Sequence, residues 1–294
     1  MKVAIVYHKE DMDGRMAKEL ACNAMVYHDH QYTCFGMINA SKSIDLNLLL
    51  TFDTVIVLDY SLQPDDMQAL YRSGKLIWID HHAYAIEQGR KDGYTYANAP
   101  GLRHTSISAA CLAYKHWQTT IESISEAVWP IVQLVDIYDL WNTESEYFDK
   151  AKALNAYFMT LSEHDFSMLF DSILDHETPG KLIEYGAKVG KHILASRNSY
   201  AHALAYPHTT TLEGHKVVAY NYVHNDLSAE VEDDTICMMY VIQGSYAKVS
   251  LRQNSGTIDV AAIARNYGGG GHRQAAGMTI PTYTLMTILN QPNV

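Results

Sequence analysis

The sequence predicts an α/β protein in which a doubly wound, largely parallel sheet is joined by a helical linker to a smaller α/β module. Three observations predict it. Short apolar runs alternate with helical periodicity over residues 1–60. Three apolar runs, two of them within this stretch and the third at residues 74–82, lead into acids or histidines, as parallel strands do when their C-terminal ends form a ligand crevice. After about residue 205 the pattern turns from helical back to short strands. The expected organisation is 1–180 for the first domain, 181–206 for the linker and 207–294 for the second domain.

Taken in order, "KVAIVY" is a strand that runs into His8, Asp11 and Asp13 and then into a helix starting near Gly14. "RMAKELACNAMV" supplies that helix, "YTCFGMI" the next strand, and "TVIVLD" a buried-type strand ending at Asp59. "GKLIWIDHH" is a further strand, ending at Asp80, His81 and His82. Arg103 and His104 precede a helix opened by Thr105 or a nearby Ser, and form either an anion site or a plain cap. "AVWPIVQLVDIYDLW" is helical, brings Asp136 and Asp139, and has Pro130 as a start or a kink. Residues 145–205 stay helical, and Pro207 closes the long connecting helix. Beyond it, "HKVVAYNYV", "TICMMYVIQG" and "YAKVSLRQ" read as strands, with helices around "LSAEVEDD" and "TIDVAAIARNY".

Carboxylates gathered a few ångströms apart cannot all stay ionised cheaply, so protons or cations must neutralise them. Oxygen donors mixed with imidazole suit manganese, magnesium or zinc, and two such ions roughly 3.5–4 Å apart would clamp a phosphoryl oxygen. Manganese is the expected ion. The reaction this chemistry implies is phosphoester hydrolysis. Near the C-terminus, "NYGGGGHRQAAG" places Gly268, Gly269, Gly270 and Gly271 before His272. Residues without Cβ expose backbone N–H groups that suit a phosphate, although such a run is also a common flexible loop.

The order of these elements resembles the DHH phosphoesterases, named for the triplet that stands here as Asp80, His81 and His82. The N-terminal aspartate motif, the aspartate after the second apolar strand, the "VDIYDLW" aspartate and the "GGGGHRQAAG" segment follow in the family's order. The glycine-histidine element resembles the DHH-associated C-terminal domain of RecJ-like exonucleases, oligoribonucleases and cyclic-dinucleotide phosphodiesterases. The resemblance implies an active site in an interdomain cleft. It implies that His8 and Asp11 hold one metal, Asp13 and His81 the other, and that Asp59 bridges them. Asp136 would complete the second metal's shell, Asp80 would orient His81, and His82 would lie near the scissile phosphate. Asp139 competes with Asp136, because residues three apart share a helical face; the motif position favours Asp136. Arg252, Gly269, Gly270, Gly271 and His272 would hold the substrate's distal phosphate or base.

Composition agrees. A hydrophobic content of 48% excludes a disordered chain, and 294 residues allow two cores. A net charge of −11 offers no broad footprint for long duplex nucleic acid, so short oligonucleotides or dinucleotides are the expected partners. No apolar run of membrane length and no leader is visible, which predicts a cytoplasmic protein without a membrane partner. A homodimer is admitted. Cys22, Cys34, Cys111 and Cys237 lack metal-site spacing and read as reduced core thiols. The expected function is a two-metal phosphodiesterase; a regulatory nucleotide-binding protein or a small-phosphate phosphatase stands as the alternative.

Overall fold

A computed structural model of the chain describes residues 1–38, 44–91, 93–118, 122–175 and 179–292. The chain divides into two compact units, 1–193 and 194–294.

In the first unit the elements are β1 (Lys2–His8), α1 (Met12–Tyr27), β2 (Gln31–Met37), α2 (Leu46–Leu49), β3 (Thr54–Leu58), α3 (Pro64–Arg72), β4 (Leu76–Ile79) and α4 (Ala83–Gln88). They are followed by α5 (Ala109–Trp117), α6 (Glu122–Asp139), α7 (Phe148–Phe158), α8 (Glu163–Asp175) and α9 (Pro179–Leu204), which runs on into the second unit. The four strands pair in parallel in the order β2-β1-β3-β4. Both faces are covered, as parallel sheets require. Val3, Ile5 and Tyr7 of β1 pack with Met16 and Leu20 of α1 and with Val132 and Phe158 of the later helices. Ala4 and Val6, pointing the other way by the strand's period of two, pack with Val57, Trp78, Met67 and Leu70. The strand order reverses at β1, where α/β sheets of this kind hold their ligands.

Local contacts explain how α1 is set against this edge. The Asp11 side chain caps it by accepting from the Gly14 amide at 2.9 Å. Gly14 is required by close approach, since a Cβ there would lie 2.0 Å from the His8 carbonyl oxygen. One turn further, the buried Arg15 guanidinium donates to the carbonyls of Leu161 and Ser162, each at 3.0 Å, and satisfies orphan acceptors beyond the end of α7. Pro130 neither starts nor ends a helix; α6 runs through it.

The second unit adds β5 (Pro207–Leu212), β6 (His215–Tyr220), β7 (Ile236–Gln243), β8 (Tyr246–Arg252), α10 (Val260–Asn266), β9 (Gly270–His272), β10 (Ala275–Pro281) and α11 (Thr282–Leu289). They form a six-stranded mixed sheet in the order β5-β6-β7-β8-β10-β9. Leu251, Met238 and Ala276 face α10 and α11 in one core, while Cys237 and Met239 face Leu227 and Val231 on the opposite side. The expected helix around "LSAEVEDD" is a short 3-10 segment, Asn225–Glu230. Strands β5, β9 and β10 were not foreseen. Threonine-rich "PHTTTL" and the alanines and glycine of "AAGMTIP" lack strong apolar alternation, so neither carries a strong local strand signal. Among the described residues no helix is long and apolar enough to cross a membrane.

Candidate metal and phosphate site

The C-terminal ends of β1, β3 and β4, with the start of α1 and the end of α6, bring six donor residues together in the first unit. The first set is His8, Asp11 and Asp59, whose ligand atoms lie within 4.8 Å of one another. His8 Nδ1 stands 2.5 Å from Asp11 Oδ2 and 3.6 Å from Asp59 Oδ2. The second set is Asp13, His81 and Asp139, equally close. His81 Nε2 faces Asp59 Oδ1 at 3.2 Å, Asp13 Oδ2 at 3.5 Å and Asp139 Oδ2 at 3.6 Å. Asp59 thus divides its two oxygens between the sets. Its backbone is in the left-handed region (φ 49°), an uncommon state for a residue with Cβ, and its amide donates to the Ile79 carbonyl at 3.0 Å.

The electrostatics describe a cluster of close carboxylates whose charges must be offset. Burial, then Asp59, pushes the Asp13 carboxyl up to about 7, although its oxygens accept from the Ala109 and Ala110 amides, each at 2.7 Å. Burial and then Asp13 raise Asp139 well above the ordinary carboxylate range. Asp59 goes the other way: burial would raise it, but the adjacent His8 and His81 rings hold it well below. The histidines answer in kind. Burial opposes their charge, yet Asp11 and Asp59 raise His8 to about 11, and Asp59, Asp13 and Asp139 raise His81. Two buried oxygens, Asp59 Oδ1 and Asp139 Oδ2, receive no well-directed hydrogen bond. A single N–H cannot serve three carboxylates, whereas a divalent cation can be met by all of them, so the donor set fits a hard or borderline cation.

The geometry places Asp136 outside both donor sets. Its Oδ1 accepts from the Ser108 amide at 2.7 Å at the start of α5, and the neighbour of His81 is Asp139, one helical turn further along α6. Asp80 is also different from the expectation. It is fully buried and its Oδ1 accepts from the His82 ring Nδ1 at 2.8 Å and the His81 and His82 amides at 2.7 and 3.1 Å. The ring that meets the Asp80 carboxylate here is that of His82. Its Oδ2 accepts from Ser61 Oγ at 3.0 Å and Trp78 Nε1 at 3.2 Å, partners that sequence reasoning missed because neither residue belongs to a motif. Although burial opposes it, Asp80 keeps the His82 imidazolium favoured, and this ring is partly open to solvent. Arg103 is no anion site: its guanidinium donates to the carbonyls of Trp78 at 2.6 Å and Ala99 at 2.7 Å.

In the second unit the glycine run divides its labour. Gly268 (φ 78°) donates to the Arg265 carbonyl at 3.1 Å and Gly269 to the Ala264 carbonyl at 2.9 Å, the paired bonds that close a helix end. These two amides terminate α10 and do not stand open to an anion, contrary to expectation. Gly271 (φ 138°) crosses β10 so closely that a Cβ would lie 2.5 Å from the Ala275 oxygen. Gly270 has open space where a Cβ would stand. Across the strands Arg252, Ala275 and His272 are in register, and so are Ser250, Gly277 and Gly270. Opposed residues share a face, so Arg252 and His272 flank a floor of alanine and glycine on the side away from α10. The Arg252 guanidinium is steadied by Ser250 Oγ at 2.9 Å.

Residues 212–291 match the DHHA1 domain. The chain is 25% identical to oligoribonuclease NrnB of Bacillus subtilis (strain 168) over 243 residues, which are 78% of this chain and 59% of that protein. It therefore spans 59% of the length of this curated relative. Among solved structures it shares the fold of the exonuclease RecJ bound to manganese (15% identity, TM-score 0.53, 98% of this chain and 88% of the other). It also shares that of RecJ in complex with Mn2+ from Thermus thermophilus (12% identity, TM-score 0.53, 98% and 50%). The chain thus resembles the DHH phosphoesterases in two respects: residues 212–291 match the DHHA1 domain, and the fold is that of the RecJ structures, with Asp80, His81 and His82 directly after β4.

Proposed function

We propose that the chain is a divalent-metal-dependent phosphodiesterase that hydrolyses short oligonucleotides, or linear or cyclic dinucleotides, to mononucleotides. The observation that carries this reading is the division of Asp59 between two donor sets, Oδ2 toward His8 and Oδ1 toward His81. A carboxylate so placed is suited to bridge two ions, with His8 and Asp11 on one side and Asp13, His81 and Asp139 on the other. Manganese fits the mixture of oxygen and imidazole donors, with magnesium or zinc as alternatives. Ions held there would neutralise the phosphoryl oxygens and lower the pKa of the attacking water.

The rest of the chemistry falls to the chain's own groups. His82, charged and aimed by Asp80, would hydrogen-bond a phosphoryl oxygen or protonate the leaving oxygen. Ser61 and Trp78 hold Asp80 in turn, so the ring keeps one orientation. In the second unit Arg252 and His272 would take the distal phosphate, and the glycine and alanine floor between them would let a nucleotide lie close to the backbone. The acidic balance of the chain and the named activity of NrnB support a short substrate.

The test is an end-labelled time course with Mn2+ on di- to decanucleotides of both sugars and on cyclic dinucleotides, run beside Asp59→Ala. Hydrolysis of the shorter substrates, abolished by chelation and by Asp59→Ala while the fold is retained, is the expected result. Metal-dependent nucleotide binding without turnover of any substrate would overturn the reading in favour of a regulatory binding protein.

A further inference from the structure

The structure changes the reading of two cysteines. Cys34 is exposed on the edge strand β2, and Cys22 is 8% exposed on the α1 face behind it. Their sulfurs are 3.5 Å apart. We propose that Cys22 and Cys34 are a dithiol modification site, which a hydroperoxide closes to an intramolecular disulfide.

Geometry, access and charge point the same way. A disulfide needs sulfurs about 2.05 Å apart, so the pair has roughly 1.5 Å left to close, within reach of side-chain rotation at a strand that has a neighbour on one side only. Cys34 is open to a small oxidant, and Cys22 waits behind it. Lys18 stands one helical turn before Cys22, and its ammonium favours the thiolate at both sulfurs, while Glu19 opposes this at both. The hydrogen bond between the sulfurs lowers the Cys34 thiol and, with burial, raises that of Cys22, which separates an attacking sulfur from a resolving one. Lys18 is itself held by Glu19 and by Ser167 Oγ, at 3.2 Å from the latter.

In the first step the Cys34 thiolate attacks the peroxide. A sulfur–oxygen bond forms as the oxygen–oxygen bond breaks, the sulfur loses two electrons, and the departing oxygen leaves as water or an alcohol after taking a proton. In the second step the Cys22 sulfur displaces the hydroxyl of the Cys34 sulfenic acid. The disulfide forms, and water leaves with the Cys22 proton. Cys111 and Cys237 are buried, with thiols raised by burial to about 11 and about 12, and should stay reduced.

The full chain is exposed to hydrogen peroxide, quenched, and its thiols are titrated in denaturant with peptide mapping. The expected result is a fall from four thiols to two, loss of two hydrogens in mass and a peptide joining Cys22 to Cys34. Cys34→Ser should keep its remaining thiols under the same exposure. Cys22→Ser should accumulate a Cys34 sulfenic acid that dimedone captures. Four thiols surviving an exposure that fully oxidises free cysteine would overturn the proposal. So would a disulfide formed only between two chains, or loss of Cys111 and Cys237 at the same rate.

Discussion

Asp136 and Asp139 lie three residues apart on one helix, and the structure gives them different work. Exchange of each for Asn keeps size and shape while removing one charge. In Asp139→Asn the oxygen facing His81 at 3.6 Å loses its charge, and the Asp13, His81 and Asp139 set loses one of its two carboxylates. Alteration even of groups behind a metal's ligands costs 10–100-fold in affinity, so loss of a ligand charge should weaken Mn2+ by at least about 10-fold, or about 1.4 kcal/mol. The metal-free fold should behave oppositely. A buried carboxyl whose pKa is raised by folding destabilises the native state as pH rises above its unfolded value, and Asn removes that burden, so metal-free Asp139→Asn should melt at or above wild type near about pH 8. In Asp136→Asn the carbonyl oxygen can still accept from the Ser108 amide, now without charge assistance. The difference between charged and neutral hydrogen bonds puts its cost near about 1 kcal/mol of folding stability, with Mn2+ affinity unchanged. Calorimetric titration of Mn2+ into chelator-treated protein, with thermal melts of the same samples, measures both quantities. Weakened binding in Asp136→Asn beside wild-type binding in Asp139→Asn would refute the assignment.

Three further outcomes are expected. Between about pH 5 and about pH 8 the metal-free protein should lose stability. Asp13 has its pKa raised to about 7 and its contribution fades above the unfolded value near about 4; His8, raised to about 11, has a contribution that is full below about 6.5 and declines above it. Asp59, held low, matters only on the acid side. Mn2+ should therefore raise the melting temperature more at the higher pH, and an equal shift at both would count against a site that protons and metal share. Asp80→Asn should lower kcat and flatten the limb of the pH profile that reports the His82 imidazolium while leaving Mn2+ affinity within a few-fold; a change in metal affinity alone would return Asp80 to the service of His81. His272→Ala should raise KM roughly 10- to 150-fold, the equivalent of about 1.5–3 kcal/mol, for dinucleotides that carry a terminal phosphate, without altering metal stoichiometry, and equal losses on substrates lacking that phosphate would contradict distal-phosphate capture.

The parallel sheet and the presence of acids and histidines at its C-terminal ends were legible from the chain itself. "KVAIVY", "TVIVLD" and "GKLIWIDHH" are continuous apolar runs followed at once by ionisable residues, and the burial that makes a strand is a local property of such runs. What those residues touch was decided by the tertiary structure. Asp136 and Asp139 share a helical face, and only the packing of α6 turns Asp139 toward His81 and Asp136 toward the start of α5. The resemblance gave Asp80 to His81, and backbone direction after β4 brings its carboxylate to the His82 ring. The glycine run looked like open backbone, yet two of its amides close α10, because a helix end leaves carbonyls that the nearest left-handed glycine satisfies. Cys22 and Cys34 carry no spacing signal at all. They meet because α1 crosses over β2, and an encounter between a helix and an edge strand is a fact of packing that no local pattern encodes.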